Sequence, residues 1–98
     1  MLVVVEFLTF SVEPAELAAW LGVEEAVWSR YLETVPGFIR KEMWQPADRP
    51  GTMHAVIWWE SRDAWKAVTD EEVAMGDARM GEWLRRPRAQ EFVVLRTG

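Results

Sequence analysis

Cysteine is absent from the 98 residues of this chain, and histidine occurs once, at position 54. Without thiols the chain forms no disulfides, has no thiol nucleophile and offers no cysteine ligands to zinc or to an iron–sulfur cluster. One histidine without clustered carboxylates leaves too few ligands for a dedicated metal site. The sequence therefore predicts a protein without a metal ion or a cofactor.

A basic surface is also lacking, since 11 Lys and Arg residues stand against 16 Asp and Glu residues, for a net charge of −5. Binding to phosphate backbones needs a basic face. No apolar run approaches the roughly 20 residues that span a bilayer. The run Leu2–Val5 is interrupted by Glu6 and has no basic segment, so it does not match a signal peptide. We expect a cytoplasmic protein with neither nucleic acid nor membrane as a partner.

Apolar residues, by contrast, make up half of the chain, and seven of them are tryptophans. A chain of this length has room for one core, so residues 1–98 are expected to form a single domain. Such a small domain buries only roughly 60–65% of the surface of its unfolded chain. Association with a second copy would therefore add stability.

Strand and helix patterns alternate along the chain. Four segments rich in β-branched and aromatic residues predict strands: Leu2–Val12, Phe38–Gln45, Thr52–Glu60 and Arg88–Arg96. Apolar residues at three- and four-residue spacings predict two longer helices: residues 14–35 and Val73–Leu84. Gly22 marks an expected bend in the first helix, Ser61 caps a short helix after the third strand, and Thr69 with Glu72 forms a capping box before the last helix.

The order β-α-β-β-α-β is that of a ferredoxin-like α+β fold, with a four-stranded antiparallel sheet and its helices on one face. Residues 40–42 (Arg-Lys-Glu) give the second strand the charged character of a sheet edge. The uncovered face carries Leu8, Phe10 and Trp58 or their neighbours of opposite parity, and is too apolar to stay in water. We therefore predict a homodimer in which two sheets face each other across a two-fold axis.

Two short segments resemble the dimeric α+β barrel superfamily, whose members include antibiotic biosynthesis monooxygenases and haem-degrading monooxygenases. They are Pro36-Gly37-Phe38, which opens the second strand, and Trp59-Glu60-Ser61 with Ala64-Trp65, which leaves the third. Nearly the whole chain also resembles a family of short uncharacterised proteins found mainly in cyanobacteria. The matching positions there are Pro14, Trp28, Pro36-Gly37-Phe38, Lys41-Glu42, Trp44, Trp59, Ser61, Trp65-Lys66 and Ala74-Met75-Gly76. The resemblance implies a dimeric α+β barrel.

The resemblance also implies site residues, which this chain matches only in part. Haem-degrading members use an asparagine on the first strand, a tryptophan at the end of the third and a histidine ligand on the following helix. Trp59 fits the tryptophan, but the asparagine position falls at or near Phe7 and the helix Val73–Leu84 contains no histidine. Haem ligation of that kind needs an axial imidazole. Haem degradation is therefore not expected.

A ligand pocket between helices and sheet is one interpretation of the aromatic residues. Its candidate walls are Phe7, Trp28, Trp59, Trp65, Met80 and Trp83. Indole rings would offer flat, polarisable surfaces to an apolar or aromatic molecule. The alternative interpretation is that these side chains fill the core of a small domain.

His54 is the weak candidate for a catalytic residue, because its unperturbed pKa of about 6.5 suits proton transfer at neutral pH. It has the same parity as Glu6 and Glu60, which suggests an acid–histidine pair, and the opposite parity to Trp59. The alternative is a histidine with a structural hydrogen bond at a strand end or an interface.

Two functions remain open at this point. The first is a dimeric binding or scaffold module that holds a small apolar molecule in the cleft between helices and sheet. The second is a cofactor-independent monooxygenase acting on an electron-rich aromatic substrate, which the pocket would deprotonate and desolvate. The sequence shows no evident base beside Trp59, and this favours the first hypothesis.

Overall fold

Four antiparallel strands form one sheet in the computed structural model, which describes residues 2–98. The strands are β1 (Val4–Ser11), β2 (Phe38–Trp44), β3 (Thr52–Trp59) and β4 (Arg88–Val93). Their spatial order is β2-β3-β1-β4, so β1 and β3 lie at the centre and β2 and β4 at the edges. The predicted ferredoxin-like arrangement is confirmed. The predicted strands are longer than the observed ones by one to three residues at some ends.

The first helical segment runs from residue 14 to residue 32. It consists of a 3₁₀ turn (Pro14–Glu16), α1 (Leu17–Glu24), a π-helical turn (Glu25–Ser29) and α2 (Arg30–Leu32). Pro14 occupies a first helical position, where its missing N–H breaks no hydrogen bond. The irregularity predicted at Gly22 is wrong in position, because Gly22 lies in regular α-helix and the π-helical turn follows it.

Two helices follow β3, and both begin at the predicted caps. Helix α3 (Arg62–Lys66) starts after Ser61, whose Oγ accepts a hydrogen bond from the Ala64 N–H at 3.1 Å. Helix α4 (Asp70–Met80) starts after Thr69, which forms the predicted capping box with Glu72. A 3₁₀ turn (Gly81–Trp83) continues α4, so the helix ends earlier than the predicted Leu84. No helix within residues 2–98 is long and apolar enough to cross a membrane.

Cross-strand register determines which residues of β1 and β3 face the helices. Val4 pairs with Trp59, so even-numbered residues of β1 share a face with odd-numbered residues of β3. The helix-covered face carries Val4, Glu6, Leu8, Phe10, Met53, Ala55, Ile57 and Trp59. Leu8 and Phe10 thus belong to the core. The uncovered face carries Trp58, as first predicted, together with the opposite-parity neighbours of Leu8 and Phe10 on β1.

Helix α4 approaches the first helical segment at Gly76. A Cβ atom at Gly76 would lie 2.3 Å from the Trp28 ring, far inside contact distance. The missing side chain therefore makes room for the indole. This contact places Trp28 between the first helical segment and α4, where it lines the cavity described below.

Candidate functional site

A cavity of about 370 Å3 lies between the sheet and the helices. Trp28, Trp59, Trp65 and Met80, four of the six residues predicted to form a ligand pocket, line it. Other lining residues come from β1, β2, β3, the helices and the segment after α4: Glu6, Leu8, Phe10, Trp20, Glu24, Tyr31, Leu32, Lys41, Ala55, Ile57, Lys66, Val68, Asp70, Val73, Asp77, Leu84, Arg85, Arg86 and Pro87. The cavity thus combines apolar walls with several ionisable groups.

The other two predicted wall residues, Phe7 and Trp83, do not line this cavity. Phe7 pairs with Val56, so its side chain lies on the uncovered face of the sheet, opposite Trp59. Trp83 lies in the 3₁₀ turn after α4 and packs against the core cluster that contains Trp20. The resemblance alone had suggested Phe7, and the register of β1 against β3 places its neighbour Glu6 at the cavity instead.

Trp59 and Glu6 are joined inside the cavity. The Trp59 side chain is 1% exposed, and its Nε1–H donates a hydrogen bond to Glu6 Oε1 at 3.1 Å. Glu6 pairs with Ile57 across the strands. Trp59 lies two residues beyond Ile57 on β3 and faces the same side of the sheet. The expectation that no base lies beside Trp59 is therefore wrong, because a carboxylate is hydrogen-bonded to it.

Burial raises the pKa of Glu6 above its ordinary value of 4.5. Burial is the largest effect. The hydrogen bond from Trp59, the positive charges of Lys66 and Lys41 and a hydrogen bond from Trp65 lower the pKa in part. A carboxylate with a raised pKa is a stronger proton acceptor than an exposed one. Glu6 thus has the position and the chemistry of a weak base at the cavity wall.

A buried ion pair forms another part of the wall. The Lys41 ammonium binds the Glu24 carboxylate, and the two side chains are only 6% and 5% exposed. Lys41 also donates a hydrogen bond to Ser29 Oγ at 3.0 Å. The sequence had placed Lys41 among exposed edge charges. This prediction was wrong for Lys41, whose side chain is buried and binds Glu24 at the end of α1.

Tyr31 and Glu72 connect α2 to α4 at another side of the cavity. The Tyr31 hydroxyl donates a hydrogen bond to Glu72 Oε2. Burial and this contact raise the pKa of Tyr31 to about 12, and the same hydrogen bond lowers the pKa of Glu72. Tyr31 therefore stays protonated at neutral pH and is not a base.

The solvent-facing rim of the cavity carries paired charges. Arg86 binds Asp77 at 2.9 Å, and the Lys66 ammonium lies 3.8 Å from the centroid of the Trp65 ring. A cation over an indole face is attracted by its negative π surface. Each of these cations is thus engaged at the rim before any ligand binds.

His54 lies on the opposite face of the sheet from the cavity. Its Nδ1 is 3.1 Å from Thr9 Oγ1, its cross-strand partner, and its ring stacks on Phe7 with centroids 4.7 Å apart. Glu6 lies on the other face, so the suggested pairing of His54 with Glu6 is wrong. Within residues 2–98, no group of three or more His, Asp or Glu residues is placed to hold a metal ion.

The uncovered face of the sheet carries a continuous aromatic cluster, which we call the open face: Phe7, Trp44, His54, Trp58 and Phe92. Phe7 lies at its centre, with ring centroids 5.7 Å from Phe92 and 6.2 Å from Trp44. The ring centroids of Trp44 and Trp58 are in turn 6.3 Å apart. Trp44 and Phe92 are each 44% exposed, which is high for such large apolar side chains.

A family model described as antibiotic biosynthesis monooxygenase matches residues 1–74. The match covers well over half of the chain, and the chain belongs to this family. The resemblance to the antibiotic biosynthesis monooxygenases that was found in the sequence is thereby confirmed. No curated protein sequence matches the chain.

Solved structures with the same fold include two oxygenases and a haem-degrading protein. The monooxygenase from the gene ActVA-Orf6 of Streptomyces coelicolor, in complex with nanaomycin D, has a TM-score of 0.79 at 19% identity, over 98% of this chain and 90% of that chain. A mutant of SnoaB, a cofactor-independent oxygenase from Streptomyces nogalater, has a TM-score of 0.69 at 20% identity, over 97% and 95%. The haem degrader MhuD from Mycobacterium tuberculosis, with two haems bound in its active site, has a TM-score of 0.77 at 21% identity, over 97% and 98%. At these identities the likeness shows a shared fold.

Proposed function

We propose that two copies of this chain associate through their open faces, and that each copy binds a flat, apolar small molecule in its cavity. The cavity of about 370 Å3 beside Trp59 is the observation that carries the ligand part of the proposal. Small-molecule pockets span roughly 300–1,000 Å3 and combine apolar walls with a few polar groups. Glu6, the Glu24–Lys41 pair and Tyr31 supply such polar groups here.

The lining also includes a donor that the protein does not satisfy. Trp20 is fully buried, and its Nε1 has no hydrogen-bond partner among residues 2–98. A buried polar group without a hydrogen-bond partner is rare in proteins. Because this nitrogen is itself buried, the Trp20 indole adds apolar surface to the cavity wall, as the indoles of Trp28 and Trp59 do.

Native mass spectrometry of the protein purified from its own source tests both parts at once. We expect a mass of two chains with one small apolar molecule bound to each. A bare dimer would contradict ligand binding and leave a dimeric scaffold. A bare single chain would contradict both parts of the proposal.

The open face supports the proposed dimer. Val56 and Val5 lie on it and are 1% and 7% exposed, whereas the larger Trp44 and Phe92 are each 44% exposed. The Arg40 guanidinium lies 3.8 Å from the centroid of the Trp58 ring, which leaves a cation at the edge of the cluster. An exposed apolar surface with a polar rim is typical of a protein interface. A second copy offers a surface of the same chemistry.

Replacement of Phe7 with glutamate is expected to dissociate the dimer, with a dissociation constant raised about a hundredfold or more. The new carboxylate would be buried at the centre of the interface without a partner, at a cost of about 3–5 kcal/mol. Sedimentation velocity at micromolar concentration measures the change.

The matched control is Met75→Glu, which makes the same change of charge on α4, where Met75 is 62% exposed. It should remain a dimer. Circular dichroism shows whether both variants are folded. A wild-type protein that sediments as a monomer, or a folded Phe7→Glu variant that stays dimeric, would contradict association through the open face.

A second candidate is a cofactor-independent monooxygenase, and the Glu6–Trp59 pair favours it. In such a reaction Glu6 would accept a proton from an electron-rich aromatic substrate, and the resulting carbanion would reduce O2. For an acidic methylene group, CH2 becomes C=O, one oxygen atom enters the product and the other leaves as water. Two similar structures are of an oxygenase and a monooxygenase. Haem degradation is not proposed, because no histidine is among the lining residues.

Anthrone is a suitable probe for this candidate, because it carries an acidic methylene group between two aromatic rings. We expect the protein to accelerate oxygen uptake and anthraquinone formation. Glu6→Gln should lower this rate about a hundredfold, the usual contribution of a general base. Oxygen uptake equal to that in buffer would contradict the candidate and leave ligand binding as the function.

A further inference from the structure

Glu6 is the one residue of the helix-covered face of β1 that carries a charge, between the apolar Val4 and Leu8. We propose that Glu6 determines the specificity of the cavity: its carboxylate accepts a hydrogen bond from a neutral ligand that carries a hydroxyl or N–H group beside its apolar rings. This inference rests on the proposed function, since it requires a ligand in the cavity.

The Trp59 indole holds the Glu6 carboxylate in place. Trp59 is almost fully buried, and its Nε1–H donates to Oε1 at 3.1 Å. An ionised carboxylate accepts hydrogen bonds at about four lone-pair sites and donates none. The bond from Trp59 therefore fixes the orientation of the carboxylate, and with a further bond from the Trp65 side chain it still leaves lone-pair sites for a ligand. An acceptor beside an indole wall is suited to a flat molecule with a donor at its edge.

The charged groups that face Glu6 each have another partner. Lys41 on β2 binds Glu24. Lys66 on α3 lies over the ring of Trp65. These two ammonium groups attract the Glu6 carboxylate only at longer range.

The neighbouring edge strand adds a second carboxylate. Glu91 on β4 pairs with Glu6 across the strands, and Arg62 binds it at 3.0 Å. The negative charge of Glu91 therefore has its own partner outside the cavity. Glu6 is left with hydrogen bonds from the indoles of Trp59 and Trp65 and with the donor that a ligand supplies.

The chemistry of Glu6 separates ligands into classes. A neutral ligand with a hydroxyl group satisfies the carboxylate when it displaces water. An ether of the same shape leaves the carboxylate desolvated without a new partner, which weakens binding. An anionic ligand is repelled. The cavity is therefore expected to take neutral phenols, enols and N–H heterocycles in preference to their methylated forms.

Equilibrium dialysis with 2-naphthol and 2-methoxynaphthalene tests this preference, because the two probes share their rings and differ in the donor. The wild-type protein should bind 2-naphthol about tenfold more tightly, as for one hydrogen bond to a charged acceptor. In Glu6→Gln, the amide oxygen takes over the bond from Trp59 and the NH2 group faces the ligand. The preference for 2-naphthol should then disappear, because the oxygen atoms of both probes can accept a hydrogen bond from the NH2 group, and the hydroxyl of 2-naphthol no longer has a carboxylate to donate to.

Glu91→Gln is the matched control. It removes the same charge from the same face of the sheet, one strand away and outside the cavity lining. It should keep the tenfold preference. The steric effect of the probe's methyl group is common to all variants, so the change in the ratio reports the carboxylate alone.

The pH dependence of the wild-type protein gives a second readout that needs no substitution. The preference should be full above the pKa of Glu6 and disappear as the pH falls through that pKa, because a protonated carboxyl becomes a donor. Burial raises the pKa of Glu6, so the loss should occur above the ordinary glutamate value of 4.5.

The outcomes separate this inference from the proposed function. If both probes bind the wild-type protein equally, or if Glu6→Gln keeps the preference, the role of Glu6 is overturned while ligand binding stands. If neither probe binds, the proposed function and the role of Glu6 are both overturned. If Glu6→Gln does not fold, the pH dependence decides, and a preference that persists unchanged below pH 4.5 overturns the inference.

Discussion

Lys41→Ala is expected to lower the free energy of unfolding by about 3–5 kcal/mol, since it removes one partner of a buried ion pair. Lys41 and Glu24 are 6% and 5% exposed. Without the ammonium, the Glu24 carboxylate would lie in the cavity wall without a countercharge, and Ser29 would lose its hydrogen-bond donor. Urea denaturation at a fixed protein concentration measures the loss, because dissociation of a dimer also contributes to apparent stability.

Two further variants identify the cause of that loss. Replacement of both partners, Lys41→Met with Glu24→Leu, should recover most of the stability, because apolar side chains of similar volume need no countercharge. Arg30→Ala is the control for an exposed ion pair: Arg30 and its partner Glu25 are 57% and 65% exposed. It should cost less than about 1 kcal/mol. A loss of under 1 kcal/mol for Lys41→Ala would contradict a buried pair.

Trp59→Ala is also expected to cost about 3–5 kcal/mol, as for other large aromatic residues in a core. Its side chain is 1% exposed and packs edge-to-face on Phe38, with ring centroids 6.0 Å apart. It belongs to a core cluster with Val4, Leu32 and Ile57. Thermal and urea denaturation measure the loss, and dialysis with 2-naphthol measures binding in the same samples.

Trp59→Phe separates packing from hydrogen bonding. The phenyl ring keeps most of the apolar contact and removes the N–H that orients Glu6. We expect a smaller loss of stability than in Trp59→Ala, together with a reduced preference for 2-naphthol. If Trp59→Ala loses binding but retains wild-type stability, Trp59 is a pocket wall alone and its role in the core is contradicted.

Local sequence signals predicted the elements of the fold well. Ser61 and the Thr69–Glu72 capping box begin helices where expected, because each side chain satisfies a backbone N–H that the helix leaves free. The strand-forming segments Phe38–Gln45 and Thr52–Glu60 became β2 and β3, which pair in an antiparallel hairpin. The β-α-β-β-α-β order followed from these signals and from the apolar periodicity of the strands.

The register between distant strands was not visible in the sequence. Alternation shows that Glu6 and Phe7 face opposite sides of β1, but not which side faces the helices. The pairing of Val4 with Trp59 decides this, and it places Glu6 rather than Phe7 at the cavity. The pairing of Thr9 with His54 likewise removes the histidine from the site.

Lys41 was missed for a related reason. Phe38 pairs with Trp59 and Arg40 with Trp58, so a bulge lies between them and shifts the alternation of β2. As a result, Phe38 and Lys41 both face the helices, although they differ in parity. The partner Glu24 lies at the end of α1, directly before a π-helical turn that no local signal had indicated.

A crystal structure of the protein with 2-naphthol tests the central claim most directly, since the claim is that one sheet separates a ligand site from a dimer interface. The result expected is a ring against Trp59, with its hydroxyl within hydrogen-bond distance of Glu6, in each of two chains that meet through Phe7 and its aromatic neighbours. A cavity that holds only water, with the probe bound elsewhere, would contradict the claim, as would open faces exposed to solvent.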